Sequence, residues 1–127
     1  KLGIGGKIRF IPAVSDTSGP LSVMDVFVMP SLQEGLGLSI MEAMLSGVPV
    51  AASDVGGIPS LVKDGITGIL VKPEDSDGLA LAIIDLLKDK ERARPMALAA
   101  KELIIREFSL EKMVEQTERV YLECLKD

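Results

Sequence analysis

The chain has no histidine and no tryptophan, and only one cysteine and one tyrosine. Without histidine it can build no Ser-His-Asp triad, no Cys-His pair and no His-ligated zinc. A lone cysteine, Cys124, rules out an intrachain disulfide and makes a reducing, cytoplasmic setting the expectation. Its neighbours Leu122 and Leu125 make it read as a packed thiol rather than a reactive one. So few aromatic rings leave little for a base or a sugar to stack on. A basic excess is also missing: the net charge is -5, and the most basic run, Lys88 to Arg94, is interleaved with Asp89 and Glu91. That argues against a nucleic-acid partner, which needs a clustered basic face. No apolar run reaches the roughly 18 residues of a membrane span, and the first residues show no signal-peptide pattern. Asp16, Asp54 and Asp64 form no Asp-x-Asp pair, and no cluster has metal-ligand spacing.

What is present is a single domain's worth of chain, 127 residues, 47% hydrophobic and 26% charged. Ile8 to Ile11 alternates well enough to predict a short strand, and Pro12 to Pro20 reads as a polar loop. Val26 to Met29 is a continuous apolar run closed by Pro30, the pattern of a parallel strand buried on both faces. A helix is predicted from about Leu38 to Ser46, stopped by Gly47 and Pro49. Val50 to Ser53 is another short buried strand, Gly56-Gly57 a turn, and Pro59 to Lys63 a single helical turn at most. Asp64-Gly65 is a reversal before a strand over Gly68 to Val71.

After Pro73 the pattern becomes helical. One helix carries Leu79, Ala82, Ile83, Leu86 and Leu87, and a second spans Glu91 to Glu107, with Pro95 tolerable only near its first turn. A third is capped by Ser109 and buries Leu110, Met113, Val114, Thr117, Tyr121, Cys124 and Leu125 along one stripe. Strands alternating with helices, then a helical tail, predict an α/β fold with a Rossmann-like parallel sheet.

The most informative stretch is Met29 to Val50. Glu34 and Glu42 flank a turn, Gly35-Leu36-Gly37-Leu38-Ser39, that opens into an otherwise apolar helix. The glycines leave backbone N–H groups free to meet an anion at the helix N-terminus. Leu38, Ile40, Met41, Ala43, Met44 and Leu45 surround Glu42, which predicts a buried helix and hence a carboxylate in need of donors such as ribose hydroxyls. The helix alone leaves open a glutamate on one wet strip, and Glu34 alone leaves open a surface carboxylate in a loop. Were both glutamates helical, they would be separated by roughly 12 Å; with Glu34 in the turn, it can fold over the ligand end. Hydroxyl-binding carboxylates beside a phosphate-binding turn describe a sugar-nucleotide site. The turn lacks the Walker lysine and is not G-x-G-x-x-G, while Gly56-Gly57 and Gly65/Gly68 read as turn residues rather than ligand contacts.

The whole pattern is sharper than its parts. Pro30-Ser-x-x-Glu-Gly-x-Gly-Leu-Ser-x-x-Glu-Ala-Met-x-x-Gly-x-Pro-Val50, then Ser53-Asp-Val-Gly-Gly57, then Asp64-Gly-x-Thr-Gly-Ile-Leu-Val71, closely resembles the retaining glycosyltransferases of the family-four type, the "group 1" enzymes with the two-lobed GT-B fold. The likeness continues through Pro73, Asp75, the helix after it and Phe108-Ser109. It implies a C-terminal donor-binding domain over residues 1–127, with Glu34 and Glu42 as the family's glutamate pair. By that resemblance Glu34 contacts donor-sugar hydroxyls in the catalytic position, Glu42 contacts the ribose, and the N–H groups of Gly35, Leu36, Gly37, Leu38 and Ser39 hold the diphosphate. The implied reaction transfers a sugar from a nucleoside-diphosphate donor with retention and without a metal. Cofactors are then none, the nucleoside-diphosphate sugar being a co-substrate.

The resemblance also marks what is not matched. The N-terminal acceptor lobe has no counterpart, nor do the first two strands of the second lobe, which carry an Arg and a Lys against the diphosphate. Lys1, Lys7 and Arg9 do not match those cations, and Ser60 stands where Glu is more usual. In the family's sheet order those strands lie between the ones matching Ile8–Ile11 and Val26–Met29. The chain is thus expected to re-pair its strands, to swap elements with a second copy, or to be part of a larger polypeptide supplying the missing lobe; Lys1 in place of methionine fits processing, cutting or excision. The alternatives are a non-catalytic or degenerate sugar-nucleotide-binding module, and another doubly wound protein such as an epimerase or dehydrogenase relative, against which the missing early G-x-G-x-x-G argues.

Overall fold

A computed structural model describes residues 3–126. Three parallel strands, β1 (Phe27–Met29), β2 (Val50–Ser53) and β3 (Ile69–Val71), lie in the order β1-β2-β3. Phe27 stands beside Val50, and Ala51 beside Ile69. Six helices surround them: α1 (Ser18–Ser22), α2 (Leu38–Leu45), α3 (Ile58–Leu61), α4 (Ser76–Lys88), α5 (Lys90–Glu107) and α6 (Leu110–Cys124).

The central strand explains the two-layered core. All four residues of β2 are buried, and successive side chains point to opposite faces. Val50 and Ala52 join Ile40 and Met44 of α2, Ile58 and Leu61 of α3, and Ala100 and Ile104 of α5. Ala51 joins Ala82 and Leu86 of α4 with Ala93 and Met96 at the start of α5. Two adjacent alanines at the middle of the sheet let helices approach it from both sides, so the apolar run reads as a fully buried parallel strand.

Caps set the helix limits. The Asp75 carboxylate accepts from the Gly78 N–H at 2.8 Å to open α4. Asp89 closes α4 by donating its N–H to the Asp85 carbonyl and opens α5 by accepting the Arg92 N–H at 3.0 Å. Ser109 caps α6 as expected, its hydroxyl accepting the Lys112 N–H.

Four expectations are corrected. Ile8–Ile11 is not a strand: it forms no regular structure and is exposed, Phe10 to 93%, because among the described residues no ladder lies beside it. Phe27 donates to the Pro49 carbonyl on the β2 side, so the parallel pattern turns the N–H and C=O of Val28 to the opposite edge. Among the described residues no strand pairs with that edge, so β1 stays open and the strands do not re-pair. Second, the loop from Pro12 ends at Thr17, because Asp16 accepts both the N–H and the hydroxyl of Ser18 and so starts α1. Third, Pro95 lies beyond the first turn of α5, on an exposed face where water can take the carbonyl its ring cannot serve. Fourth, α6 buries nothing: Leu110, Met113, Val114, Thr117, Tyr121, Cys124 and Leu125 are all exposed, because no element of the described chain covers that side. Cys124 is accordingly an exposed thiol, not a packed one.

Asp89 closes one helix and opens the next, so Asp89→Ala is expected to lower unfolding free energy by about 1 kcal/mol, the usual cost of losing an N-cap. Urea denaturation of the two proteins measures it, and an unchanged midpoint would contradict the assigned cap.

Candidate functional site

The glutamate turn sits between the end of β1 and the start of α2, at the carboxyl end of the sheet, where open α/β folds bind ligands. Gly37 caps α2 in the left-handed conformation at φ 77°, which favours glycine, and its carbonyl accepts the N–H groups of Ile40 and Met41. Gly37 is buried, and a Cβ there would press on Ile40 Cδ1 at 3.2 Å. Among the described residues, the N–H groups of Leu36, Gly37, Leu38 and Ser39 have no protein acceptor. Four unpartnered donors therefore cluster at the positive end of a helix dipole.

Glu34 is half-buried at the entrance to this turn. Its Oε1 accepts the Gly35 N–H at 3.0 Å, and its backbone carbonyl accepts the Gly57 N–H at 3.2 Å. The second bond belongs to a contact that sequence reading missed. A Cβ on Gly56 would lie 1.9 Å from the Glu34 carbonyl oxygen, and one on Gly57 1.8 Å from that of Gly35. The Gly56-Gly57 backbone thus lies flat against the Glu34-Gly35 backbone, which only two residues without side chains permit. This loop is itself held in place: Asp54 donates its N–H to the Val71 carbonyl at 2.7 Å, and the Ser60 hydroxyl bonds the Gly57 carbonyl at 2.6 Å. The sequence signal was a pair of glycines two residues beyond a fully buried strand.

Of the readings left open for Glu42, the glutamate on a wet strip of the helix is the one observed. Ile40, Ala43 and Met44 are buried, but Glu42 is exposed on the outer face of α2 together with Leu38 and Leu45. The helix has a wet side after all, so Glu42 carries no burial cost that a ligand must relieve. Gly35, Leu36, Leu38 and Ser39 are also exposed, so the turn lies on open surface rather than in a pocket. Among the described residues no hydrogen bond or ion pair brings a lysine or arginine to it. A separate cavity of about 170 Å³ lies further along the same edge, between Leu32, Ser53, Val71, Lys72 and Asp75, and contains neither glutamate of the pair. Among the described residues no group of three or more histidine, cysteine, aspartate or glutamate side chains could hold a metal.

A parallel Rossmann-like sheet with a glycine turn at its carboxyl edge is the arrangement of a GT-B glycosyltransferase domain. The structure superposes on HepE from Anabaena in complex with UDP-glucose with a TM-score of 0.89 and 28% identity, over 96% of this chain and 34% of that one. The profile of the family described as glycosyl transferases group 1 matches residues 1–89. The chain is 36% identical over 126 residues to the N-acetyl-alpha-D-glucosaminyl L-malate synthase of Bacillus anthracis, covering 99% of this chain and 33% of that protein. It is 45% identical over 107 residues to the alpha-maltose-1-phosphate synthase of Mycolicibacterium smegmatis, covering 80% of this chain and 28% of that one. The chain belongs to the group 1 glycosyl transferases. It spans about a third of the length of the relatives it matches.

The close backbone contact gives a sharp prediction. Gly57→Ala is expected to cost about 2–4 kcal/mol, since its Cβ must displace backbone rather than a flexible side chain. Gly35→Ala, whose Cβ would meet nothing within 4 Å, is expected to stay within roughly 1 kcal/mol of the parent. Chemical denaturation of both variants checks the contrast, and equal losses would contradict the packing described.

Proposed function

We propose that residues 1–127 form the donor-nucleotide part of a retaining glycosyltransferase and bind a nucleoside-diphosphate sugar at the turn between Glu34 and Glu42. The observation that carries this reading is the set of unpartnered N–H groups from Leu36 to Ser39 at the start of α2, held open by the Gly56-Gly57 contact. A diphosphate would accept from those donors, which are already aimed and need little reorganisation. Glu34, whose second carboxylate oxygen has no partner among the described residues, would meet donor-sugar hydroxyls and the positive charge that builds at the anomeric carbon. Glu42, one turn into α2 on its exposed face, would meet the ribose. The complex of HepE with UDP-glucose makes UDP and its sugars the first nucleotides to try.

We assign this chain binding, and transfer only together with an acceptor lobe. Two observations favour that division. Among the described residues nothing covers the turn to exclude water from the reacting carbon, and no cation is bonded to it to balance the leaving diphosphate. Retention, and a reaction that needs no metal, follow from the family resemblance.

Calorimetric titration with UDP, GDP, ADP, UDP-glucose and GDP-mannose tests the reading. Binding of one nucleotide is expected, weakened in Glu42→Ala by about 1–3 kcal/mol, the scale of a hydrogen bond to a charged group. That is roughly 5- to 150-fold in Kd. No binding by the folded chain, or binding unaffected by Glu42→Ala, would overturn the assignment.

A further inference from the structure

Among the described residues two polar side chains are buried, Ser53 and Thr67. Thr67 is fully used: its hydroxyl accepts the Lys63 N–H at 2.8 Å and donates to the Leu61 carbonyl at 3.2 Å. Ser53, 3% exposed at the end of β2, has no protein hydrogen-bond partner for its hydroxyl among the described residues. Yet no buried polar side-chain atom is sealed away without a partner. The Ser53 hydroxyl is therefore open to something, and the space it lines is the cavity of about 170 Å³ at the carboxyl end of the sheet. The alternation of β2 places Ser53 on the same side as Ala51, the side covered by α4.

The mouth of this cavity carries a second anomaly. Leu32 and Leu79 form its apolar walls, and Lys72 and Glu74 stand at its rim. These two opposite charges are two residues apart, yet among the described residues they form no ion pair with each other or with any other group. Glu74 is held at φ 64°, the one positive value outside glycine among the described residues. A side chain there is strained, and glycine would not be. Asp75, a third charge at the mouth, is already committed to the Gly78 N–H. The fold thus keeps a hydroxyl in the floor and a strained carboxylate at the rim that its own packing does not use.

We propose that this cavity binds a neutral sugar ring, at a site separate from the glutamate turn. Concave sites with apolar walls and a few placed polar groups are the usual form of a small-ligand pocket. The Ser53 hydroxyl can both donate to and accept from a sugar hydroxyl. At the mouth Lys72 donates and Glu74 accepts, the two functions that a ring of hydroxyls needs on opposite sides. An anion would meet Glu74 and Asp75, and a cation would meet Lys72. A wholly apolar ligand would shut Ser53 away without a partner, which is costly. Neither Glu34 nor Glu42 lines the cavity. The proposal rests on an unfilled bond inside the domain's own layers and does not depend on the nucleotide reading.

Titration of the whole chain with methyl α-glucoside, followed by amide NMR shifts, tests it, with cyclohexanol as a ring that lacks the other hydroxyls. Saturable shifts are expected at Ser53, Lys72 and Glu74, with none from cyclohexanol and no change when UDP is added. Ser53→Ala and Glu74→Gly are each expected to weaken the sugar about fivefold to tenfold, the scale of one hydrogen bond. Both should leave the urea midpoint unchanged or raised, since one removes an unpartnered hydroxyl and the other relieves the strained backbone. A residue kept only for structure would lower it. No shift at these residues would leave the cavity to water and overturn the proposal. Equal binding of cyclohexanol would overturn it by showing that the hydroxyls are not read. Displacement of the sugar by UDP would overturn it by making the cavity part of the nucleotide site. A Ser53→Ala variant that loses stability would do so as well, by showing that the bond is already filled.

Discussion

The Gly56-Gly57 backbone resting on the Glu34-Gly35 backbone is the constraint on which the candidate site depends. Two loops that leave neighbouring strands are pressed together at a distance no side chain allows, and the Gly57 N–H closes on the Glu34 carbonyl. The turn before α2 is thereby fixed from outside, and its remaining donors stay open because Gly37 turns left-handed before α2 and its carbonyl serves the first turn. The buried β2 strand supplies the platform, since the glycine loop leaves β2 itself and the glutamate loop leaves β1, in register with it. A site made of main-chain donors needs this rigidity more than it needs any one side chain.

Much of the architecture was legible because its signals were strong. Val50 to Ser53 read directly as a buried strand, since four short apolar or small residues between a proline and a glycine turn suit few other structures. Asp89 and Ser109 punctuate the helices through ordinary capping chemistry. What failed was burial. The apolar residues that flank Glu42 in sequence left its burial open, and Leu38 and Leu45 beside it face outward. The α6 stripe looked covered because its residues are apolar. Periodicity shows which residues share a face, not whether anything lies against it. Ile8–Ile11 failed similarly, since a strand pattern becomes a strand only where a neighbouring edge offers hydrogen bonds. The double glycine was seen but read too modestly, because close approach of two backbones leaves no mark beyond the absence of side chains.

The exposed surfaces and the open site are parts of one physical picture. The open edge of β1, the uncovered face of α6 and the unshielded glutamate turn mark places where this domain presents prepared but unused bonding capacity. Recognition is thus separated from stability: the core holds the donors in place, and the surfaces around them are free to meet ligand or partner.

Amide hydrogen exchange read residue by residue, with and without UDP, tests the central claim most directly. The account predicts that in the free chain the Gly57 N–H exchanges slowly while those of Leu36 to Ser39 exchange fast, and that UDP slows this second group. Fast exchange at Gly57 in the free chain would contradict the backbone contact. Exchange from Leu36 to Ser39 unchanged by bound UDP would contradict the role given to the turn.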